Sequence, residues 1–330
     1  PTASFWDAGE YISTAAKLQI GHPPGAPLFQ MIGAFFALFA PNPEKIALMV
    51  NLMSVFSSAF TILFLFLTIT LLFDKIFNFE SYKTLLDKFT FFGSAAIGAL
   101  ALCFSDSFWF NAVEAEVYAM ATLILSILFY LALKWEKEMN TPRGDRWLLL
   151  ISFVIGLSFG VHFMGLLTIP AIGMLYYFKN YKKVTLKGFI SANIISTAIL
   201  LFIFKLLLPL TLSFFGNTEV YVVNEIGLPF NSGTIIAALI IISFFYFSLK
   251  FTETKKWVNA NTGILCILFI LLGFSSWIMI PIRANANTVI NENSPSDARL
   301  LLAYYNLEQY PETKLFYGPF FSDMYVGQDN

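Results

Sequence analysis

The sequence predicts an all-α, polytopic transmembrane helical bundle with short interfacial helices in its first extracytoplasmic loop. Of its 330 residues, 57% are hydrophobic and only 12% are charged, whereas an average soluble domain is about 25% charged. Long apolar runs recur along the chain, and the loops between them differ in charge. The net charge of −1, without a dense basic patch, excludes a nucleic-acid-binding protein.

The bundle is predicted to contain about eight spans. Several apolar runs are shorter than the ~20 residues of a typical span, so they must pack inside the bundle or extend into flanking residues. The runs lie at 45–73, 89–104, 117–133, 147–160, 163–178, 188–209, 234–250 and 262–280.

The stretch 147–178 is compatible with one overlong helix or with a hairpin that turns near His162, and charge separates the two. With a hairpin, fourteen of the twenty Lys and Arg residues fall on one side, in the loops 74–88, 134–146, 179–187 and 250–256. Cytoplasmic loops carry such an excess. The hairpin is therefore favoured, with the acidic and histidine-bearing segments on the extracytoplasmic face.

Three regions follow from this topology. Residues 1–44 form the first extracytoplasmic loop, 45–282 form the bundle, and 283–330 form an extracytoplasmic segment that leads to a C-terminal region beyond this sequence. The count of spans also implies a further span before Pro1. We expect an integral membrane protein, most simply of a bacterial inner membrane, with its active site on the extracytoplasmic face.

The first region is predicted to form two short helices, at 5–18 and 27–39, because Pro23, Pro24 and Pro27 break the chain between them. The second helix is apolar but only about 12 residues long, so we expect it to lie in the membrane interface. The tyrosine-rich segment after Ile282 suggests a folded region.

Asp7 and Glu10 are the main candidates for catalysis. Three positions apart on a helix, they share a face, and a carboxylate there can act as a general base or bind a metal. The alternative is structural, because Ser4 and Asp7 fit a capping arrangement at the start of the helix. Trp6 and Tyr11 suit stacking against a sugar, and equally suit a membrane interface.

His22 and His162 are the only two histidines, and both map to the extracytoplasmic face. Each fits a structural role when taken alone, since His22 lies in a proline-rich turn and His162 at the hairpin tip. Their common side favours a role in binding a phosphate or a substrate hydroxyl.

Three further charged residues lie at the ends of spans. Glu114 and Glu116 precede a helix whose dipole alone would favour acids, and their spacing lets only one of them face a shared site. Arg283 ends the last span, where it either snorkels to the surface or clamps a lipid phosphate. Because no nucleotide-binding loop, zinc-type cluster or nucleophile elbow is present, an enzyme on this face needs an activated, lipid-borne substrate.

Several motifs together resemble the protein O-mannosyltransferase-like membrane family, which belongs to the GT-C glycosyltransferases. They extend from the first residues to the last and are specific only in combination. The motifs are Phe5–Glu10, Gly21–Gly25, Glu114–Tyr118, Gly156–His162, Asn291–Pro295, Glu308–Tyr310 and Leu315–Pro319.

The resemblance implies a GT-C-type bundle and an inverting transfer of mannose or a similar sugar from a polyprenyl phosphate. The acceptor is a hydroxyl, expected to be Ser or Thr of an exported protein. Asp7 matches the catalytic loop aspartate of the family, and Glu10 is the second catalytic candidate. The expected substrate- or donor-binding residues are Trp6, Tyr11, His22, Glu114, Glu116, Tyr118, His162, Arg283, Asn291, Glu292 and Asn293. No cofactor is specified, and a divalent metal is left open.

A transporter or other lipid-handling protein is the main alternative. Such a protein is expected to carry charges near the middle of its spans, whereas here only Lys205 falls inside one. The sequence therefore favours an enzyme at the membrane interface. Its expected partners are the lipid bilayer, a polyprenyl-phosphate-linked sugar donor and a protein or glycan acceptor.

Overall fold

A computed structural model describes residues 6–77, 84–311 and 317. Ser4, the helix start predicted at residue 5, part of the loop 74–88, and the motif Leu315–Pro319 apart from Tyr317 lie outside these residues. Within them the chain is helical, with one isolated bridge between Ile20 and Asn291. The predicted all-α membrane bundle is confirmed.

The helices are numbered in chain order. They are α1 Ala8–Lys17, α2 Pro27–Ala37, α3 Ile46–Phe77, α4 Leu85–Cys103, α5 Asp106–Ala112, α6 Val117–Glu138, α7 Asp145–Ser158, α8 Thr168–Asn180, α9 Leu186–Leu201, α10 Leu208–Asn224, α11 Ser232–Thr254, α12 Val258–Phe274, α13 Met279–Ala284 and α14 Ala298–Tyr305.

Six of the described helical stretches are long and apolar enough to cross a membrane, and they match six of the eight predicted runs. The chain is therefore an integral membrane protein. A π-helical turn, Phe202–Leu207, joins α9 and α10 into one rod. The six stretches are Pro43–Phe77, Leu85–Cys103, Val117–Glu138, Leu186–Asn224, Ser232–Thr254 and Val258–Ala284.

The two remaining runs are α7 and α8, with 14 and 13 residues, and they form the predicted hairpin. The start of α7 and the end of α8 meet the same end of α6, because Arg146 pairs with Glu138 at 2.7 Å and Lys179 with Glu136 at 3.4 Å. The turn between them lies at the opposite end of α6, where the rings of His162 and Tyr118 are 5.6 Å apart.

The two ends of the bundle differ in chemistry. The end formed by the predicted basic loops contains the ion pairs Lys75–Glu136, at 3.1 Å, and Lys137–Asp74, at 3.4 Å. The opposite end contains α1, α2 and the start of α6, and therefore Asp7, Glu10 and Glu116. The separation of basic and acidic segments predicted from the sequence is thus present in space.

Helix α12 packs closely against α7. Gly156 of α7 lies against the backbone of Ile270, and Gly273 of α12 lies against the backbone of Phe153, so a Cβ at either glycine would overlap main-chain atoms. Small residues allow membrane helices to approach in this way. Beyond α12, Trp277 is 1% exposed and donates its ring N–H to the carbonyl oxygen of Phe159 at 2.9 Å.

Candidate functional site

Asp7 lies at the N-terminus of α1, as its N-cap residue, but its side chain makes no capping hydrogen bond. The Asp7 side chain is 56% exposed, and its Oδ2 lies 3.7 Å from Nε2 of His22. The carboxylate is therefore turned toward the proline-rich turn rather than committed to the helix terminus. The capping arrangement with Ser4 involves a residue outside the described part of the chain.

Glu10 fixes the position of His22. Its Oε1 accepts a hydrogen bond from the His22 backbone N–H at 2.6 Å, and its Oε2 lies 3.0 Å from His22 Nδ1. A carboxylate at Nδ1 favours the tautomer protonated there, which leaves the Nε2 lone pair facing Asp7. Gly21 permits this contact, since a Cβ at that position would lie 2.6 Å from Glu10 Oε1.

A distant segment holds the loop that carries His22. The backbones of Ile20 and residues 290–292 exchange two hydrogen bonds of 3.1 Å, and Gln19 Oε1 accepts the N–H of Ile290 at 2.6 Å. Tyr304 of α14 donates its hydroxyl to the carbonyl oxygen of Gly21 at 2.5 Å. No sequence motif predicts a role for Gln19 or Tyr304 in the site, and the tyrosine-rich composition of the tail predicts only a folded segment around Tyr304.

Glu116 lies beside Asp7 and is buried, with 6% of its surface exposed. Burial, followed by the charges of Asp7 and Glu114, raises the pKa of Glu116 to about 7. Its Oε1 has no hydrogen-bond partner. Glu114 is also buried, and burial is the only cause that raises its pKa. Glu116, whose pKa also responds to the charge of Asp7, is therefore the member of the acidic pair that is coupled to Asp7.

Glu292 is the member of the Asn291–Asn293 turn that is coupled to the cluster. Burial and then the Glu10 charge raise the pKa of Glu292, while His22 lowers it. Asn291 instead donates its amide to the carbonyl oxygen of Ala284 at 3.1 Å. Asn293 is exposed, with a φ of 55°, a left-handed conformation that asparagine tolerates.

The predicted aromatic platform is only partly available. Tyr11 is 7% exposed, and its ring packs 5.1 Å from Phe29 and 5.7 Å from His22, so it belongs to the core and does not offer a stacking face. Trp6 is 89% exposed. Tyr118 is 46% exposed and contacts His162, whose Nδ1 accepts the backbone N–H of Met164 at 3.1 Å.

The structure separates Arg283 from this group. Arg283 Nε donates to the carbonyl oxygen of Leu18 at 2.6 Å, and Nη2 donates to that of Lys17 at 3.1 Å. These carbonyls end α1, about 15 Å along the helix from Asp7 at 1.5 Å per residue. Arg283 is therefore not placed to clamp a phosphate beside Asp7, and it serves as a cationic cap for α1.

Arg283→Gln is expected to lower thermal stability without lowering affinity for a lipid-phosphate ligand. A hydrogen bond from a charged group contributes about 1.5–3 kcal/mol. The variant loses two such bonds at the end of α1, one part-buried and one exposed, and the exposed bond contributes less because water competes for it. Unfolding temperature and binding of polyprenyl phosphate measure the two effects. Arg143→Gln, at an exposed position at the other end of the bundle, is the control, and a selective loss of lipid binding in Arg283→Gln would restore the clamp.

The fold and the site define a polytopic α-helical membrane protein with a carboxylate–histidine cluster at one end of its bundle. Residues 7–185, more than half of the chain, match the family described as "Protein O-mannosyl-transferase TMEM260 N-terminal domain". The chain belongs to this family, which confirms the resemblance inferred from the motifs.

Two curated relatives carry related names. The chain is 26% identical over 148 residues to "Protein O-mannosyl-transferase tmem260" of Dictyostelium discoideum, covering 44% of this chain and 16% of the relative. It is 28% identical over 155 residues to "Protein O-mannosyl-transferase TMEM260" of Mus musculus, covering 46% of this chain and 19% of the relative. The aligned part thus spans less than a fifth of each relative. No solved structure matches the chain.

Proposed function

We propose that this chain is part of a GT-C-type membrane glycosyltransferase that moves mannose or a similar sugar from a polyprenyl phosphate to a protein hydroxyl. The observation that carries the proposal is the exposed Asp7 carboxylate, which its helix does not use and which faces a histidine locked by Glu10. The names of the two relatives support a sugar donor and a protein acceptor.

Asp7 acts as the base in this proposal. As the acceptor oxygen bonds to the anomeric carbon, the bond from that carbon to the phosphate oxygen breaks, and the hydroxyl proton passes to Asp7. Attack opposite the leaving group inverts the anomeric configuration. The departing phosphate is already a stable anion, so electrostatic stabilisation replaces a strong general acid.

A lipid-borne donor fits the position of the cluster. The cluster lies where α1 meets the end of the spanning helices, and the apolar helix α2 follows it directly. With 11 residues, α2 is too short to cross the bilayer and suits the interface. A phosphate on a membrane lipid would reach Asp7 at this depth, and the described part of the tail, residues 283–311, would face the same side.

Single-cysteine labelling tests the proposed side. In the full-length protein, Ser107→Cys, at an exposed position of α5 just before the start of α6, is expected to react only with reagent added from the extracytoplasmic side. Lys182→Cys, in the basic loop after α8, is the matched control and is expected to react only from the cytoplasmic side. Labelling of Ser107→Cys from the cytoplasmic side alone would reverse the topology and place the cluster in the cytoplasm.

Transfer by the full-length protein in liposomes tests the function itself. Polyprenyl-phosphate mannose is expected to serve as donor to a Ser/Thr-containing peptide, and the product should have the anomeric configuration opposite to that of the donor. A nucleotide-linked sugar should not serve as donor in place of polyprenyl-phosphate mannose. Movement of the lipid across the bilayer without transfer would favour the transporter alternative, and retention of configuration would contradict a single displacement with Asp7 as base.

A further inference from the structure

We propose that the cluster of Asp7, Glu10 and His22 holds a divalent cation between Asp7 and His22. Glu10 positions His22, and the buried carboxylate of Glu116 adjoins the cluster. The site accepts a cation that takes oxygen and imidazole ligands together, such as Mn²⁺. The role given to the cation rests on the proposed function, whereas its binding does not.

The geometry of the three polar side chains provides the first argument. One ligand atom each from Asp7, Glu10 and His22 lies within 4.8 Å of the other two. Oδ2 of Asp7 and Nε2 of His22 are 3.7 Å apart, too far for a good hydrogen bond. A cation about 2.1 Å from each atom fits between them.

Glu10 contributes through His22. Its two oxygens are used by the His22 backbone N–H and by Nδ1, so it holds the ring from behind. Metal-binding histidines commonly donate their second N–H to a carboxylate in this way, which fixes the tautomer and raises the basicity of the ligand nitrogen. Nε2 is thereby left as an acceptor directed toward Asp7.

Glu116 provides an independent observation. Its side chain is more than nine-tenths buried, and its Oε1 has no hydrogen-bond partner. The Asp7 charge and the Asp7 backbone N–H both act on the Glu116 carboxylate, so this side chain adjoins Asp7. A buried carboxylate oxygen without a partner is costly, and a cation bound at Asp7 would lower that cost.

The charge of the cluster leads to the same conclusion. Asp7 interacts with Glu116, and Glu10 interacts with Glu292. In the part of the chain that the structure describes, His22 is the only histidine, lysine or arginine whose side chain contacts a carboxylate oxygen of these four residues. Since Arg283 caps the far end of α1, a divalent cation is the group that would balance these charges and stabilise the leaving phosphate.

Mn²⁺ binding to the purified full-length protein, stripped of metal with a chelator, tests the inference. Electron paramagnetic resonance measures free and bound Mn²⁺ directly and needs no sugar transfer. We expect one bound Mn²⁺ in the wild type and at least about 10-fold weaker binding in His22→Ala, Asp7→Asn and Glu116→Gln. Asp106→Asn, an exposed acid at the start of α5, should bind as the wild type does.

Glu10→Gln separates a ligand network from general disruption. The glutamine carbonyl can still accept the His22 backbone N–H, but its NH₂ group would donate to Nδ1 and move the imidazole proton to Nε2. Mn²⁺ affinity should therefore fall about 10–100-fold at a nearly unchanged unfolding temperature. If His22→Ala does not fold, the Mn²⁺ affinities of the near-isosteric variants Glu10→Gln and Glu116→Gln still test the cation site.

Two outcomes overturn the site: wild-type binding no tighter than that of Asp7→Asn, or equal binding by wild type, Glu10→Gln and Glu116→Gln. Sugar transfer measured on the same preparations distinguishes this inference from the function. If the variants lose Mn²⁺ binding but the wild type shows no sugar transfer, the cation site is supported and the transferase function is contradicted. If chelator-treated wild type binds no Mn²⁺ but transfers sugar at the full rate, the transferase function is supported and the cation site is contradicted.

Discussion

Asp7→Asn is expected to lower sugar transfer by the full-length protein about 10²–10⁴-fold, the usual contribution of general-base catalysis. Asparagine keeps the size of the side chain but cannot accept the proton of the acceptor hydroxyl. Initial rates with a polyprenyl-phosphate donor measure the effect, and donor binding and unfolding temperature show that the variant is folded. Asp106→Asn, an exposed aspartate at the start of α5, is the matched control.

The capping alternative gives a different result. Loss of an N-terminal cap costs about 1 kcal/mol of stability and would leave transfer near the wild-type rate. Glu10→Gln should reduce transfer less than Asp7→Asn, because Glu10 acts through His22. Wild-type turnover in Asp7→Asn would move the base elsewhere, first to Glu10, and would favour the transporter alternative.

Trp277→Ala is expected to destabilise the protein by about 3–5 kcal/mol, the range for truncating a buried Trp or Phe to alanine. Trp277 is 1% exposed, its ring centroid lies 5.2 Å from those of Phe274 and Tyr305, and its N–H is bonded to Phe159. The variant would leave a cavity and the Phe159 carbonyl without its donor. Denaturant or thermal unfolding in one fixed detergent measures the change.

Trp257→Ala is the control for this experiment. Trp257 is 55% exposed and packs edge-on against Phe251 at 5.7 Å, so its removal should change stability by less than about 1 kcal/mol. Equal destabilisation by the two variants would show that Trp277 is not a central packing residue. Because Tyr304 and Tyr305 adjoin Trp277, transfer should fall together with stability.

The bundle could be predicted from the sequence because its signals are local. Apolar runs marked six spanning stretches, and the prolines at 23, 24 and 27 separated α1 from α2. The hairpin of α7 and α8 needed one long-range rule, the preference of basic loops for one side. Spacing alone also placed Asp7 and Glu10 on one face of α1.

The failures involve partners that no local pattern specifies. Arg283 would lie at the end of its own helix whether it clamped a phosphate or capped another helix. Only the three-dimensional structure shows that its guanidinium contacts the end of α1. Tyr11 has the composition of a stacking residue but is buried against Phe29. The bonds from Gln19 and Tyr304 join segments more than 250 residues apart, and such pairings leave no periodicity in either segment.

A structure of the full-length protein with bound polyprenyl phosphate tests the central claim most directly. The claim is that the cluster of Asp7, Glu10, His22 and Glu116 is the place where the donor reacts. We expect the lipid phosphate at the N-terminal end of α1, within reach of Asp7 directly or through one bound cation. A phosphate at the opposite end of α1 beside Arg283, or between α10 and α14, would contradict it.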